Sequence, residues 1–164
     1  RGNVQTRLRK LSEGVADATL LAIAGLNRLG KADLVTEILA PEFMLPAVAQ
    51  GAIGITCRQG DAAMHELILT LNHAPTMFRV TAERALLDAL DGSCRTPVGG
   101  LADFLTDGSL RLRALVAKED GSCVYYTERK GYASDADTMG RDAGEELRRR
   151  AGPDIFLNNL LTKV

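Results

Sequence analysis

Cys94 is the residue in this sequence whose type and position most clearly allow chemistry. It lies in "LDGSCRTPVGG" (residues 90–100), a stretch of small and turn-forming residues. The pattern predicts that a helix ends at Gly92 and that Pro97 leads the chain into an extended segment. A cysteine in a packed domain is usually a small buried hydrophobe, whereas a cysteine on a loop between regular elements is a better candidate nucleophile.

Basic residues near the N-terminus form a second group that could do chemistry. The first ten residues contain no acidic side chain and four basic ones, namely Arg1, Arg7, Arg9 and Lys10. Arginine presents a planar, permanently charged fork that matches a carboxylate. The sequence therefore favours either an anion-binding surface or a solvated basic face at this end of the chain.

The positions of these arginines depend on the elements around them. "NVQTRLRKLSEG" predicts a helix that Asn3 caps and Gly14 ends, so Arg1 and Gly2 precede a helix N-terminus, where free N–H groups favour anions. "DATLLAIAGL" (residues 17–26) is a continuous apolar run that predicts a strand covered on both faces. Arg28 would then follow the carboxyl end of that strand, where open α/β sheets bind ligands.

The composition limits the class of protein. The 164 residues are 46% hydrophobic and 25% charged, with a formal net charge of −1, which indicates a globular protein without a whole-chain attraction to nucleic acid. Three cysteines without a CxxC pair argue against a disulfide framework or a structural zinc site, and His65 and His73 fit surface or capping roles. No apolar run is long enough for a membrane span, and no signal peptide is recognised.

The rest of the chain predicts two kinds of architecture. Residues 1–73 contain short helices and the apolar segments "DATLLAIAGL" and "AIGITCR", which indicate pieces of an α/β sheet. Residues 74–164 predict an α+β unit in which a long helix precedes three strands joined by short glycine-containing turns, an antiparallel meander. "SLRLRALVA" alternates leucine with arginine, so one face of this sheet should meet water. A last helix follows over "SDADTMGRDAGEELRRRAG".

Five phrases in the same order resemble the porphobilinogen deaminase (hydroxymethylbilane synthase) family. They are "RGNVQTRLRKL", "DATLLAIAGLNRLG", "LPAVAQGAIGITCR", "VTAERALLDALDGSC" and "LRALV". Two departures are visible, because the family usually has glycine at the position of Ala49 and Gly-Gly-Cys-Gln where this chain has "GSCR". The resemblance covers essentially the whole chain and corresponds to about the C-terminal half of the family's three-domain enzyme.

The resemblance implies that Cys94 holds a dipyrromethane cofactor covalently, through a thioether bond. In the family this cofactor primes the condensation of four porphobilinogen molecules, with loss of ammonia, into hydroxymethylbilane. Deaminated porphobilinogen is a soft carbon electrophile, for which a thiolate is a suitable nucleophile. Arg95 favours the thiolate, whereas Asp91 and the preceding helix C-terminus disfavour it, so the sequence leaves this balance open.

The resemblance also implies which residues hold the carboxylates of the pyrroles. Each pyrrole carries an acetate and a propionate, and Arg1, Arg7 and Arg28 align with arginines that bind these groups in the family. Gln50 and Gly51 align with hinge residues near the cofactor. The cofactor-binding set implied in this way is Cys94, Arg1, Gly2, Arg7, Arg28, Gln50 and Gly51, with no metal ligand.

The resemblance implies a domain organisation as well. Residues 1–45 would be the C-terminal part of a periplasmic-binding-protein-like α/β domain, and residues 46–73 a hinge and crossover that completes the family's first domain. Residues 74–164 would be the α+β domain with the cofactor cysteine. The family's catalytic aspartate belongs to the first domain and has no counterpart here, since Asp17 and Asp91 fit structural positions. We expect the chain to be a portion of a longer enzyme.

Two further expectations follow from that interpretation. Without the first domain, Ile53, Ile55, Leu67 and Ile68 should expose apolar surface, and this portion should not make hydroxymethylbilane by itself. The complete enzyme would be a monomer in the cytoplasm, or in a plastid, acting on porphobilinogen and the growing polypyrrole. The alternatives are a non-catalytic α+β module that binds an acidic ligand or protein partner, and an interaction domain in which Cys94 is inert.

Overall fold

The computed structural model describes residues 2–90 and 97–153. The chain divides into two compact units, Arg1–Ala40 and Pro41–Val164. The first contains helices α1 (Val4–Ser12) and α2 (Ile23–Arg28) and a 3-10 helix (Ala32–Leu34). The second contains, in chain order, α3 (Ala62–Leu69), α4 (Ala74–Ala89), β1 (Val98–Phe104), β2 (Leu110–Ala117), β3 (Val124–Gly131), a 3-10 helix (Ala133–Asp135) and α5 (Ala136–Ala151).

Helix α1 forms where the sequence predicts it. The Asn3 side chain accepts a hydrogen bond from the backbone N–H of Thr6 at 2.9 Å, which satisfies one of the unpaired donors of the first turn. Gly14 follows the helix with φ +71°, a conformation that glycine adopts without a steric penalty. The predicted capping residue and the predicted stop are both confirmed.

The strand predicted over "DATLLAIAGL" is wrong. Residues 18–22 are irregular and Ile23–Arg28 is helical, with Leu20 60% exposed and Leu26 buried. A buried strand needs neighbouring strands to pair its backbone groups, and the described residues of the first unit contain none. Arg28 therefore lies in the last turn of α2 instead of beyond a strand. The segment "ADLVTEILA" (residues 32–40) is helical only over the 3-10 turn Ala32–Leu34.

The three predicted strands of the second unit form an antiparallel sheet in the order β1-β2-β3. Ala102 of β1 pairs with Leu112 of β2, which pairs in turn with Arg129 of β3. Every second residue of β2 is buried, beginning at Leu110, whereas the intervening arginines are only partly buried. The predicted α+β domain with a three-stranded antiparallel sheet is confirmed for this unit.

Helices α4 and α5 cover the apolar face of the sheet. The core consists of aliphatic side chains from both helices and all along β2, with Leu86, Leu90, Leu110, Leu112, Val116 and Leu147 fully buried. Pro75 lies in the first turn of α4, where a missing N–H costs nothing.

Two glycines allow α4 and α5 to approach closely. A Cβ added at Gly140 would overlap the carbonyl oxygen of Ala82 and lie 2.6 Å from the Cβ of Ala85. One added at Gly144 would lie 2.6 Å from the Cβ of Ala89. Because the nearest atoms are backbone or Cβ atoms, neither clash can be relieved by a side-chain rotation.

We therefore expect Gly140→Ala to lower the free energy of unfolding by about 3 kcal/mol, because the two helices must separate to admit one methyl group. Urea unfolding followed by circular dichroism measures this change. Gly54→Ala is the matched control, since a Cβ at Gly54 meets no atom within 4 Å. Equal effects of the two substitutions would contradict the close approach of α4 and α5.

A polar cluster joins β3 to the outer side of α5. Arg129 donates to Glu146 at 2.6 Å and to Asp142 at 2.5 Å. Glu146 also accepts hydrogen bonds from Thr127 and Arg150, each at 2.8 Å. The hydrogen bond from Arg129, followed by those from Thr127 and Arg150, lowers the pKa of Glu146 to about 2.

This lowered pKa predicts how stability depends on pH. Glu146 is ionised in the folded chain at pH values where it is already protonated in the unfolded chain. Its stabilising contribution is therefore present above pH 4.5 and is lost as the pH falls toward about 2. We expect Glu146→Gln to flatten the loss of unfolding free energy in this window, measured by urea unfolding at several pH values. The exposed neighbour Glu145, changed to Gln, should leave the wild-type profile intact.

Residues 52–71 expose apolar side chains. The strand predicted over "AIGITCR" is absent, and Ile53 and Ile55 are 90% and 52% exposed. Leu67 on α3 is 64% exposed, and Ile68 is partly buried. The expectation of exposed apolar surface is thus confirmed, with Ile68 the least exposed. Among the described helices, none combines the length and the apolar character needed to cross a membrane.

Candidate functional site

The turn that contains Gln50 and Gly51 packs against α4 and β1 within the second unit. Ala49 has φ +58°, a left-handed conformation that side chains disfavour, and Gly51 has φ +79°. The family that the sequence resembles usually has glycine at the position of Ala49. The backbone of this turn explains that preference, because glycine adopts positive φ without strain.

Glu83 fixes this turn to the rest of the unit. Its side chain on α4 is almost fully buried, with 5% of the residue exposed. One carboxylate oxygen accepts a hydrogen bond from the backbone N–H of Ala49 at 2.5 Å, and the other accepts from the N–H of Ala102 at 2.8 Å. A buried carboxylate is tolerated where both oxygens are hydrogen-bonded, as they are here.

The same contacts cover the open edge of the sheet. β1 is an edge strand, so alternate backbone groups face away from β2 and need partners. Arg79 donates through Nε to the carbonyl of Ala102 at 2.6 Å, and the N–H of Gly100 donates to the carbonyl of Pro46 at 2.9 Å. Arg79 and Glu83 of α4, together with the segment before the turn, thus bond backbone groups of β1 that a fourth strand would otherwise pair.

A cleft of about 160 Å³ opens between the turn, α4 and β1. The turn contributes residues 49–52, and β1 contributes Leu101. α4 contributes the remaining lining residues, Thr76, Arg79, Val80 and Glu83. Both oxygens of Glu83 already accept hydrogen bonds. Arg79, in contrast, uses only its Nε donor within the described part of the chain, so donors remain where acceptors do not. The arrangement leaves the terminal nitrogens of Arg79 able to donate to a further acceptor in the cleft.

The left-handed backbone at Ala49 predicts that glycine at this position stabilises the fold. Ala49→Gly should raise the free energy of unfolding by about 0.5 kcal/mol, since relief of strain exceeds the greater freedom of glycine in the unfolded chain. Ala52→Gly, where φ is not positive, should lower it by about 0.5–1 kcal/mol. Thermal unfolding of both variants measures whether each substitution raises or lowers the free energy of unfolding. A loss of stability in Ala49→Gly would contradict the strain at this turn.

The structure describes three of the predicted anion-binding residues in the first unit. Gly2 has φ +141°, and an added Cβ would lie 2.8 Å from Thr6, so glycine is required there. Arg7 donates to the carbonyls of Gly2 at 3.2 Å and Leu20 at 3.4 Å, which brings Gly2 and Arg7 together and orients the guanidinium. Arg28 is exposed and makes no hydrogen bond or ion pair with any described residue.

The predicted residues Cys94 and Arg1 lie outside the described residues, as does the whole stretch 91–96. Its two flanks belong to the core and the sheet of the second unit. Leu90, at the end of α4, is fully buried, and Val98 begins β1 and pairs with Val116. The stretch with Cys94 therefore connects the end of a core helix to the start of an edge strand.

Glu83 and Arg79 were not predicted from the sequence as site residues. A signal was present, because Glu83 follows Ala82 and precedes Leu86 by three positions, which places a carboxylate on the apolar face of a helix. The two backbone groups that it binds lie 34 and 19 residues away in the sequence and could not be read from it. Within residues 2–90 and 97–153, no group of three or more His, Cys, Asp or Glu is arranged to hold a metal ion.

Two models of one protein family match the chain in consecutive regions. The model described as "Porphobilinogen deaminase, dipyromethane cofactor binding domain" matches residues 1–66, and "Porphobilinogen deaminase, C-terminal domain" matches residues 77–149. The residues between the two matches, 67–76, include the end of α3 and the start of α4.

Curated relatives agree with the family models. "Porphobilinogen deaminase, chloroplastic" of Pisum sativum is 56% identical over 158 residues, covering 95% of this chain and 43% of the relative. The protein of the same name in Oryza sativa subsp. japonica is 53% identical, with 95% and 44% covered. "Porphobilinogen deaminase" of Paracoccus denitrificans (strain Pd 1222) is 52% identical over 156 residues, with 95% and 50% covered. The chain spans about half the length of these relatives.

Proposed function

Because the chain belongs to the porphobilinogen deaminase family, we propose that it serves in the condensation of four porphobilinogen molecules into hydroxymethylbilane, a transferase reaction. The observation that carries this proposal is the match of both family models, in order, over residues 1–66 and 77–149. Since the chain spans about half of its relatives, we propose that it acts as part of a longer enzyme. Residues 1–45 would then complete a periplasmic-binding-protein-like domain.

The chain's own residues would hold the cofactor by two kinds of contact. Cys94 would provide the thioether, and Arg1, Arg7 and Arg28 would bind acetate and propionate groups. The chemistry of the described donors supports this fit, because Arg28 is exposed and its guanidinium lacks a partner among described residues. A guanidinium that stays charged at every working pH binds carboxylates in a forked geometry. When bound, dipyrromethane supplies the primer to which the substrate units are added.

The hinge residues would orient the cofactor-bearing unit. Glu83 holds the backbone of Ala49 against α4 and β1, so Gln50 and Gly51 are attached to the same rigid unit as the two flanks of the Cys94 stretch. This attachment would keep the hinge and the cofactor cysteine in a fixed relation while the polypyrrole grows. The names of the plant relatives and the bacterial source of the third support a plastid or the cytoplasm as the compartment.

A chimera tests the proposed function. In this chimera, the present chain replaces its matching region in the Pisum sativum relative, and the consumption of porphobilinogen is measured. We expect activity from the chimera and none from the chain alone, because the family's catalytic aspartate has no counterpart here. A folded chimera without activity would contradict the proposal and would favour a non-catalytic acid-binding module.

A further inference from the structure

We propose that the cleft between the Ala49–Ala52 turn, α4 and β1 binds a carboxylate through Arg79. This inference deepens the proposed function and rests on it for the source of the ligand, the acetate or propionate of a pyrrole. It adds a binding residue to a surface where sequence resemblance had suggested only Gln50 and Gly51. The contacts of Arg79 and Glu83 within the second unit support this inference.

The geometry of Arg79 leaves its forked end available. Nε donates to the Ala102 carbonyl at 2.6 Å, which fixes the guanidinium plane against β1. The two terminal nitrogens make no hydrogen bond or ion pair with any described residue, although the side chain lines the cleft and is partly buried. An anchored guanidinium with two parallel donors loses little side-chain entropy when it binds a carboxylate.

The nearby carboxylate does not occupy these donors. Glu83 lies one turn further along α4, a spacing at which Arg–Glu pairs often form. Both of its oxygens instead accept backbone N–H groups, from Ala49 and Ala102, and no ion pair joins it to Arg79 in the described part of the chain. Among the described residues, the terminal nitrogens of Arg79 therefore have no partner, whereas both oxygens of Glu83 are already bonded; Gln50 also lines the cleft.

The size and place of the cleft limit the ligand to a small anionic group. A volume of about 160 Å³ accommodates a carboxylate with its adjoining methylene groups but not a whole polypyrrole. Thr76 in the first turn of α4 also lines the cleft, so the positive end of the helix dipole adds to the attraction for a negative charge. A pyrrole side chain that carries a carboxylate has the required chemistry.

Titration of the chain with porphobilinogen, and separately with acetate, tests the site by two-dimensional NMR of the backbone amides. We expect saturable shifts of the Gln50 and Gly51 amides. Arg79→Gln should weaken this binding at least about tenfold, because a charge-assisted hydrogen bond is lost. Arg84→Gln is the matched control, since Arg84 is an exposed arginine on the same helix that does not line the cleft.

The outcomes separate the ligand sources and the two proposals. Binding of porphobilinogen alone assigns the site to pyrrole carboxylates, and equal binding of acetate assigns it to carboxylates in general. Equal shifts in folded Arg79→Gln, checked by thermal unfolding, or the absence of saturable shifts would overturn the site. Arg79→Lys should recover part of the affinity through its charge. Because the readout is binding, an inactive chimera would refute the proposed function without refuting the cleft.

Discussion

Replacing Cys94 with serine should reduce the consumption of porphobilinogen by the chimera at least about a thousandfold, as expected when an essential nucleophile is removed. A thiolate reacts readily with a soft carbon electrophile, whereas a serine hydroxyl is neither ionised nor soft at neutral pH. Under the proposed function, a protein without the thioether has no primer, so no later step could compensate. The measurement is the initial rate of substrate loss in purified, folded protein.

The other cysteines provide controls for this prediction. Cys57 is exposed and Cys123 is partly buried, and the family resemblance assigns the cofactor to Cys94 instead of either of them. Cys57→Ser should retain activity within about twofold, as is usual for surface substitutions. An active Cys94→Ser variant would show that the thioether is not required, and a large loss in Cys57→Ser would place the nucleophile elsewhere.

Replacing Glu83 with alanine should lower the free energy of unfolding by about 3–5 kcal/mol, the second large effect that we expect. The carboxylate accepts the N–H groups of Ala49 and Ala102, and both donors would lose their partner in a buried place. A loss of this size lowers the melting temperature by roughly 10 °C or more in a unit of this length. Thermal and urea unfolding measure the change.

Two comparisons distinguish the loss of these bonds from general damage to α4. Glu83→Gln keeps one acceptor but turns an amide N–H₂ toward the second backbone donor, so it should cost about half as much. Asp88→Ala, an exposed carboxylate on the same helix, should change stability by less than about 0.5 kcal/mol. Amide exchange should accelerate first at Ala49 and Ala102 in the Glu83 variants. Unchanged exchange there would contradict the bridging role.

The elements that the sequence predicted correctly are those with local signals. Asn3 and Gly14 mark the ends of α1, and the alternation of Leu110 and Leu112 with arginines marks β2. The glycine-containing turns of the meander could be recognised in the same way. In each case the apolar residues repeat with the spacing of a single type of element, and turn or cap residues mark its ends. The element could therefore be predicted without knowledge of distant contacts.

The failures share a physical cause. A short apolar run such as "DATLLAIAGL" does not distinguish a strand from a helix, and only neighbouring strands could stabilise it as a strand. The same holds for "AIGITCR", whose Ile53 lies exposed. Glu83 and Arg79 were missed because their roles depend on backbone groups of a distant turn and an edge strand. The left-handed backbone at Ala49 is likewise set by tertiary contacts.

The most direct test of the central claim is the intact mass of the purified chimera, with a peptide map across Cys94. We expect an added mass of two linked pyrroles on the Cys94 peptide of active protein, and its loss in Cys94→Ser. An active chimera with an unmodified Cys94 thiol, or with the pyrroles attached to Cys57 or Cys123, would contradict the account.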